Sequence, residues 1–223
     1  MKILAFDTAM AACSVALVDG DGDGYSLLAG HEEARPRGHA EVLVPLIGQV
    51  MEEARTSFAD LDRIAVTTGP GTFTGVRIGI ATARGLALAS GVPLVGITTL
   101  EAIAADAAEQ GAENRPIACV IDARRSEVYV QCFAADMEPL SAPAALSYEA
   151  AAAELEGHGP VLVGTGAHLL TPFLTQELGI LRDDRAADQP RAVVVAQRAA
   201  LRAPAAEPPV PLYLRAPDAK LPQ

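Results

Sequence analysis

A chain of 223 residues can bury an apolar core without disulfides or metal, and it holds either one large domain or two small lobes. A formal net charge of −11 sets most of the surface against a phosphate backbone, so tight binding of nucleic acid by the chain alone is not expected. Half of the residues are hydrophobic but only 4% are aromatic, which points to alanine-rich helical packing with few bulky anchors.

The opening segment Met1–Asp7 carries one positive charge and is broken early by an aspartate, which is not the pattern of a secretory signal. No uninterrupted apolar stretch is long enough to span a membrane, so a cytoplasmic protein is expected. Ile3–Phe6 reads as a strand ending at Asp7, Ser14–Val18 as a second, and Tyr25–Glu32 as a third after the turn at 19–24. From Gly38 to Arg55, Val42, Leu43, Leu46, Ile47, Val50, Met51 and Ala54 recur at helical spacing. Pro45 falls early enough in that helix to be tolerated. A strand at 61–68 leads into Gly69-Pro70-Gly71-Thr72-Phe73-Thr74-Gly75, and a second helix runs from about Thr74 to Ser90, stopped by Gly91 and Pro93. A short strand at 93–97 and a helix at 99–110 close the first half, with Glu101 suited to the helix start.

Pro116 begins a copy of the opening. Ala118–Ile121 is an apolar strand ending at Asp122, a small or polar turn follows, and Glu127–Phe133 alternates as a strand. A period above a hundred residues indicates two related lobes rather than a solenoid. Val161–Gly164 predicts a further strand, followed by Thr165-Gly166-Ala167 and a helix through Leu178, and 192–202 another helix, before a Pro-rich extended tail from Pro204. The expected architecture is a duplicated α/β fold with lobes at 1–110 and 111–223.

The residues Ile3–Thr8, Thr67–Gly79 with its core GPGTFTG-x-R-I-G, Ile121–Tyr129 and Pro211-Leu212-Tyr213-Leu214-Arg215 together resemble the TsaB family, in order along the whole chain. The resemblance implies an actin-like, sugar-kinase-like ATPase fold. It also implies a part in placing threonylcarbamoyl on adenosine 37 of tRNAs that read codons beginning with A. The family's implied partners are a larger catalytic paralogue, TsaD, and a small ATPase, TsaE. tRNA would be met only through that complex, and a homodimer is possible in isolation.

Each motif has a structural reading beside a functional one. Asp7 and Asp122 end equivalent strands, where ATPases of the implied fold place carboxylates facing a phosphate-bound metal. Phosphate needs a glycine beside such a turn so that backbone amides can approach, and neither Thr8-Ala9-Met10 nor Ala123-Arg124-Arg125 has one. Asp7, Thr8 and Asp122 are therefore read as a vestigial nucleotide cleft. The loop 69–75 lacks the lysine of a P-loop, so tight strand–helix packing or partner contact is expected of it. The resembled paralogue carries a metal-binding histidine pair on the helix that corresponds to 38–55. Here only His39 stands, with Leu43 four residues on, so no metal or other cofactor is expected. Cys13, Cys119 and Cys132 lie in apolar strand-like stretches, with no C-x-x-C pair, and read as buried reduced thiols.

Gly75, Gly79, Ala83 and Ala87 fall every four residues and form a small-residue stripe that lets another helix approach. Together with His39, Leu43, Leu46 and Val50 on the first helix they form the candidate interface with the paralogue. The leading expectation is a scaffold that catalyses nothing alone. Its rivals are a small-molecule kinase or ATPase of the same fold, a peptidase-like protein, and a homodimeric binding protein.

Overall fold

The computed structural model describes residues 1–20, 24–110, 114–175 and 188–215. Its strands fall into two sheets of one design. In the first, β1 (Lys2–Asp7), β2 (Ala12–Gly20) and β3 (Tyr25–Ala34) form an antiparallel meander, and β4 (Arg63–Thr67) and β5 (Leu94–Ile97) continue parallel to β1, in the order β3-β2-β1-β4-β5. The second has β6 (Ile117–Asp122), β7 (Glu127–Phe133), β8 (Ala144–Ser147) and β9 (Val161–Val163), in the order β8-β7-β6-β9, with β9 parallel to β6. The expected repeat of strand, aspartate, turn and strand is therefore present in both sheets. The element pair β8 and α4 (Tyr148–Glu156) is absent from the sequence reading above, although Ser147 caps α4 by accepting from the Ala150 amide, an ordinary helix-start signal.

Both faces of the first sheet are covered, which is why its central strands read as unbroken apolar runs. On one face lie α1 (His39–Glu53) and α2 (Phe73–Ser90), whose Leu43, Ile47, Val50, Val76, Ile80 and Ala83 pack against Leu4, Phe6, Val15 and Val66. On the other lies α6 (Ala192–Ala200), with Val195, Ala196 and Ala199 against Ile3, Ala5, Ala65 and Ile97. The second sheet takes α3 (Thr99–Glu109) on one face and α4 with α5 (Ala167–Leu170) on the other.

The two sheets meet the expected lobe boundary near residue 110, and two helices cross it. The strands divide there, but α3 comes from the first half and packs on the second sheet, while α6 comes from the second half and packs on the first. The two helices touch at the centre through ion pairs. Arg198 and Arg202 hold the buried Glu101, and Arg191 grips the buried Asp106 through two bonds. The helix expected through residue 178 is also shorter. α5 gives way to a 3-10 turn at Thr171–Phe173, because Pro172 has no amide to continue the ladder, and Leu174 is extended. Residues 176–178 lie outside the described residues. Among the described residues no helix is long and apolar enough to cross a membrane.

Candidate functional site

The first strand–aspartate unit is roofed by the loop that follows β4. Asp7 is fully buried, and its Oδ1 accepts hydrogen bonds from the Thr67 hydroxyl and from the Ala9 amide at 3.1 Å, while Oδ2 has no partner among the described residues. Burial raises the Asp7 carboxyl from its ordinary 3.8 to about 7, against the hydrogen bonds that lower it. Thr8 Oγ1 donates to the Gly75 carbonyl at 2.8 Å, and the Thr72 amide donates to the Ala9 carbonyl at 2.7 Å.

The glycines of the loop serve this contact. A Cβ on Gly71 would stand 2.3 Å from the Ala9 carbonyl oxygen, one on Gly75 2.0 Å from that of Thr8, and one on Gly79 2.7 Å from Thr8 Oγ1. At the start of α2 the Gly75 amide donates to Thr72 Oγ1 and the Val76 amide to the Thr72 carbonyl. The place where an ATPase of this design would set phosphate against amides is filled by the chain's own backbone.

The second unit is closed differently. Asp122 is partly exposed, its carboxylate accepts from the Arg124 amide at 2.8 Å, and the Arg124 guanidinium lies 3.0 Å away. Here the threonine of the neighbouring loop meets the backbone instead of the carboxylate, with Thr165 Oγ1 accepting from the Asp122 amide at 3.0 Å. Arg124, Arg125 and Ser126 all sit at positive φ, 63°, 56° and 60°, a run that L-residues rarely adopt. Arg215 of the tail holds this turn, donating to the carbonyls of Ala123 and Arg124 and to Glu127.

The expected partner interface needs correction. Gly75, Gly79 and Ala83 are buried against the Asp7 turn and β4, and Leu43 and Val50 lie in the core of the first sheet, so a helix-spaced stripe of small residues here serves internal packing. His39 is the first residue of α1 and is buried, with Nε2 unpartnered among the described residues. Of the eight candidates only Leu46 and Ala87 keep partial exposure.

The same helices present a second small-residue stripe outward. Ala81, Gly85 and Ala89 are exposed on α2 beside Leu88, which is 88% exposed, and Gly48 is exposed on α1 beside Val44, 61% exposed. A Cβ on Gly48 or Gly85 would meet nothing within 4 Å, so no contact inside the chain calls for either glycine. The spacing of this outer stripe was legible, but periodicity alone does not say which of two interleaved stripes faces the sheet.

The residues missed altogether are those that join distant segments. Thr67 supplies the hydroxyl to Asp7, and the tail motif reaches back to α2, where Arg77 Nε donates to the Tyr213 hydroxyl at 2.8 Å. The three cysteines are buried and free, and burial pushes the Cys13 thiol up to about 12 and Cys132 to about 11, which removes them as nucleophiles. Among the described residues no group of three or more His, Cys, Asp or Glu side chains is placed to hold a metal ion.

The family model for TsaD, tRNA N6-adenosine threonylcarbamoyltransferase, matches residues 32–155. The tRNA threonylcarbamoyladenosine biosynthesis protein TsaB of Escherichia coli is 43% identical over 129 residues. YeaZ from Pseudomonas aeruginosa superposes with a TM-score of 0.78 at 32% identity, covering 96% of this chain and 99% of that one. The chain belongs to the TsaB family. The stretch matched to the E. coli protein is 58% of this chain and spans about half of that relative, 53% of its length. An uncharacterized protein of Mycobacterium bovis is 34% identical across 98% of this chain and 93% of its own. At 11% identity, component A of (R)-2-hydroxyglutaryl-CoA dehydratase from Acidaminococcus fermentans superposes with a TM-score of 0.52, a likeness of fold alone. The fold is the two-lobed actin-like, sugar-kinase-like one.

Proposed function

We propose that this chain is a non-catalytic scaffold in the formation of threonylcarbamoyladenosine in tRNA, and that it docks on the catalytic paralogue TsaD, with TsaE as a further member of the complex. The observation that carries the reading is the filled first turn, where Gly71 and Gly75 seat the loop on the carbonyls of Ala9 and Thr8. A kinase or ATPase of this fold needs that space for phosphate. The isolated chain is expected to turn over no ATP, and steady hydrolysis by pure protein that disappears in Asp7→Ala would overturn the reading.

The docking surface is the outer face of α1 and α2. A glycine inside an exposed helix costs about 0.5–1 kcal/mol relative to alanine, so Gly48 and Gly85 are explained by a helix of a partner that comes too close for a Cβ. Gly85→Ala should raise the melting temperature of the isolated chain while weakening its binding to TsaD. Leu88→Asp should weaken docking with the melting temperature unchanged. Full TsaD binding by both variants would show that this face is not the interface. A pull-down that returns only a second copy of the chain would favour the homodimeric reading over the scaffold.

A further inference from the structure

The chain is acidic in composition, yet the fold sets two arginines of α2 against the C-terminal tail. Phe73 and Tyr213 stack with ring centroids 5.6 Å apart and planes at 27°, and Arg77 lies over the Phe73 ring with Cζ 3.7 Å from its centroid. Both rings remain half-exposed, at 53% and 47%. Two turns along α2, Arg84 donates through Nε and Nη2 to the Pro209 carbonyl of the same tail. Neither guanidinium has a carboxylate partner among the described residues, whereas Arg35, Arg124, Arg191, Arg198, Arg202 and Arg215 all do.

We infer that this platform of Phe73, Arg77, Arg84 and Tyr213 is an RNA-contact surface, the exposed rings stacking on an unpaired base and the two guanidiniums meeting phosphates. The inference rests on the proposed part in tRNA modification only for the choice of RNA as ligand. An exposed π-face rimmed by uncompensated guanidinium is the combination that sequence-tolerant single-strand binding uses. A surface anchored only for structure has no need to keep both rings half in water. The net charge of −11 keeps the contact weak, so it positions RNA already held by a basic partner and does not capture it.

The test measures fluorescence anisotropy of a labelled 17-nucleotide RNA hairpin with the pure full-length chain, from low to physiological salt. Wild type is expected to bind at low salt only. Arg77→Gln with Arg84→Gln should weaken binding at least tenfold. It should also flatten the dependence of log K on log salt by about 1.4, since each single-strand phosphate contributes about 0.7. Phe73→Leu should weaken binding and leave the salt slope unchanged. Melting curves control for folding, and if the double variant unfolds, Arg84→Gln alone decides, with an expected slope change of about 0.7. The inference is overturned if wild type does not bind the hairpin at any salt, or if the variants bind it as well as wild type does. It is also overturned if a polyglutamate peptide of equal charge binds the same residues more tightly, which would make the surface a protein contact. Arg84 lies beside Ala81, Gly85 and Leu88 on α2, so the same variants are also assayed for docking on TsaD, and loss of RNA binding with docking retained separates the two readings.

Discussion

The two strand–aspartate units share a topology and part company at the turn. In the first, Asp7 is buried under the 69–75 loop, one carboxylate oxygen has no partner among the described residues, and the closing groups are glycine backbones. In the second, Asp122 reaches the surface beside the exposed Arg124 side chain, and the turn holds three non-glycine residues at positive φ with Arg215 fastened across it as the closing group. One design has thus been shut twice by different physics, by packing in one lobe and by charge in the other. A cleft closed by packing cannot be reopened without unfolding its roof. A turn held by arginine can be released by changing one side chain.

The sharpest test of that contrast is Gly75→Leu. Its Cβ would stand 2.0 Å from a backbone oxygen and 2.5 Å from Thr72 Oγ1, neither of which can yield without moving β1 or the cap of α2. Overpacking of this kind lies at the upper end of measured effects, and a loss of at least about 4 kcal/mol is expected. Denaturant unfolding reads it, and a loss below about 1 kcal/mol would show that the roof is loosely seated.

Asp7 gives the next largest effect. Its carboxyl is raised in the folded chain from 3.8 to about 7, so the folded state holds a proton that the unfolded state has released. The sign follows from linkage. The contribution of Asp7 to stability is most favourable at or below pH 4, falls as pH climbs from 4 to 7, and is flat beyond. The group costs up to about 4 kcal/mol at pH 8. Asp7→Asn should remove most of this slope, making the variant more stable than wild type at pH 8 and not at pH 4. Parallel unfolding curves for the two proteins from pH 4 to 8 would show instead that Asp7 is solvated.

Much of the fold was legible because its signals are local. Alternation, helix periodicity and the stops at Gly91 and Pro93 placed the first three strands, α1, α2 and α3 within a few residues, and the repeat at Asp122 gave the second sheet. What escaped was long-range. Nothing in the spacing of Gly75, Gly79 and Ala83 distinguishes a stripe that meets the Thr8 turn from one that meets a partner. The exchange of α3 and α6 between sheets depends on ion pairs that join residues 85 to 101 positions apart. At the site, the two aspartates and the missing glycines were readable, while the roles of Thr67, Arg77 and Arg215 were not, because the first needs β4 paired beside β1 and the other two need the tail folded back.

A smaller effect tests the second lobe. Arg215→Ala removes the donors to Ala123, Arg124 and Glu127 at a partly buried site, where charge-assisted hydrogen bonds are each worth about 1.5–3 kcal/mol before solvent screening. A net loss of about 1–2 kcal/mol is expected, with faster amide exchange at 123–127 and no change at residues 7–9. Equal loosening of both turns would mean that the lobes are closed by one shared contact, and the comparison would fail.

The smallest effect has the opposite sign and isolates the strain itself. Arg124 sits at φ 63° with its side chain 85% exposed, so its ion pair with Asp122 is largely screened and contributes little. The left-handed conformation costs an L-residue about 1–2 kcal/mol, and glycine adopts it freely while losing more chain entropy on folding. Arg124→Gly should therefore stabilise the chain by about 0.5–1 kcal/mol, a difference within reach of paired thermal melts. The outcome also weighs what the arginine is for. A gain in stability means that the folded chain retains Arg124 at a cost, which a role outside the monomer would explain. A loss of 1 kcal/mol or more would instead make the Asp122 pair the true closing contact of this turn, with charge outweighing backbone strain even at an exposed site.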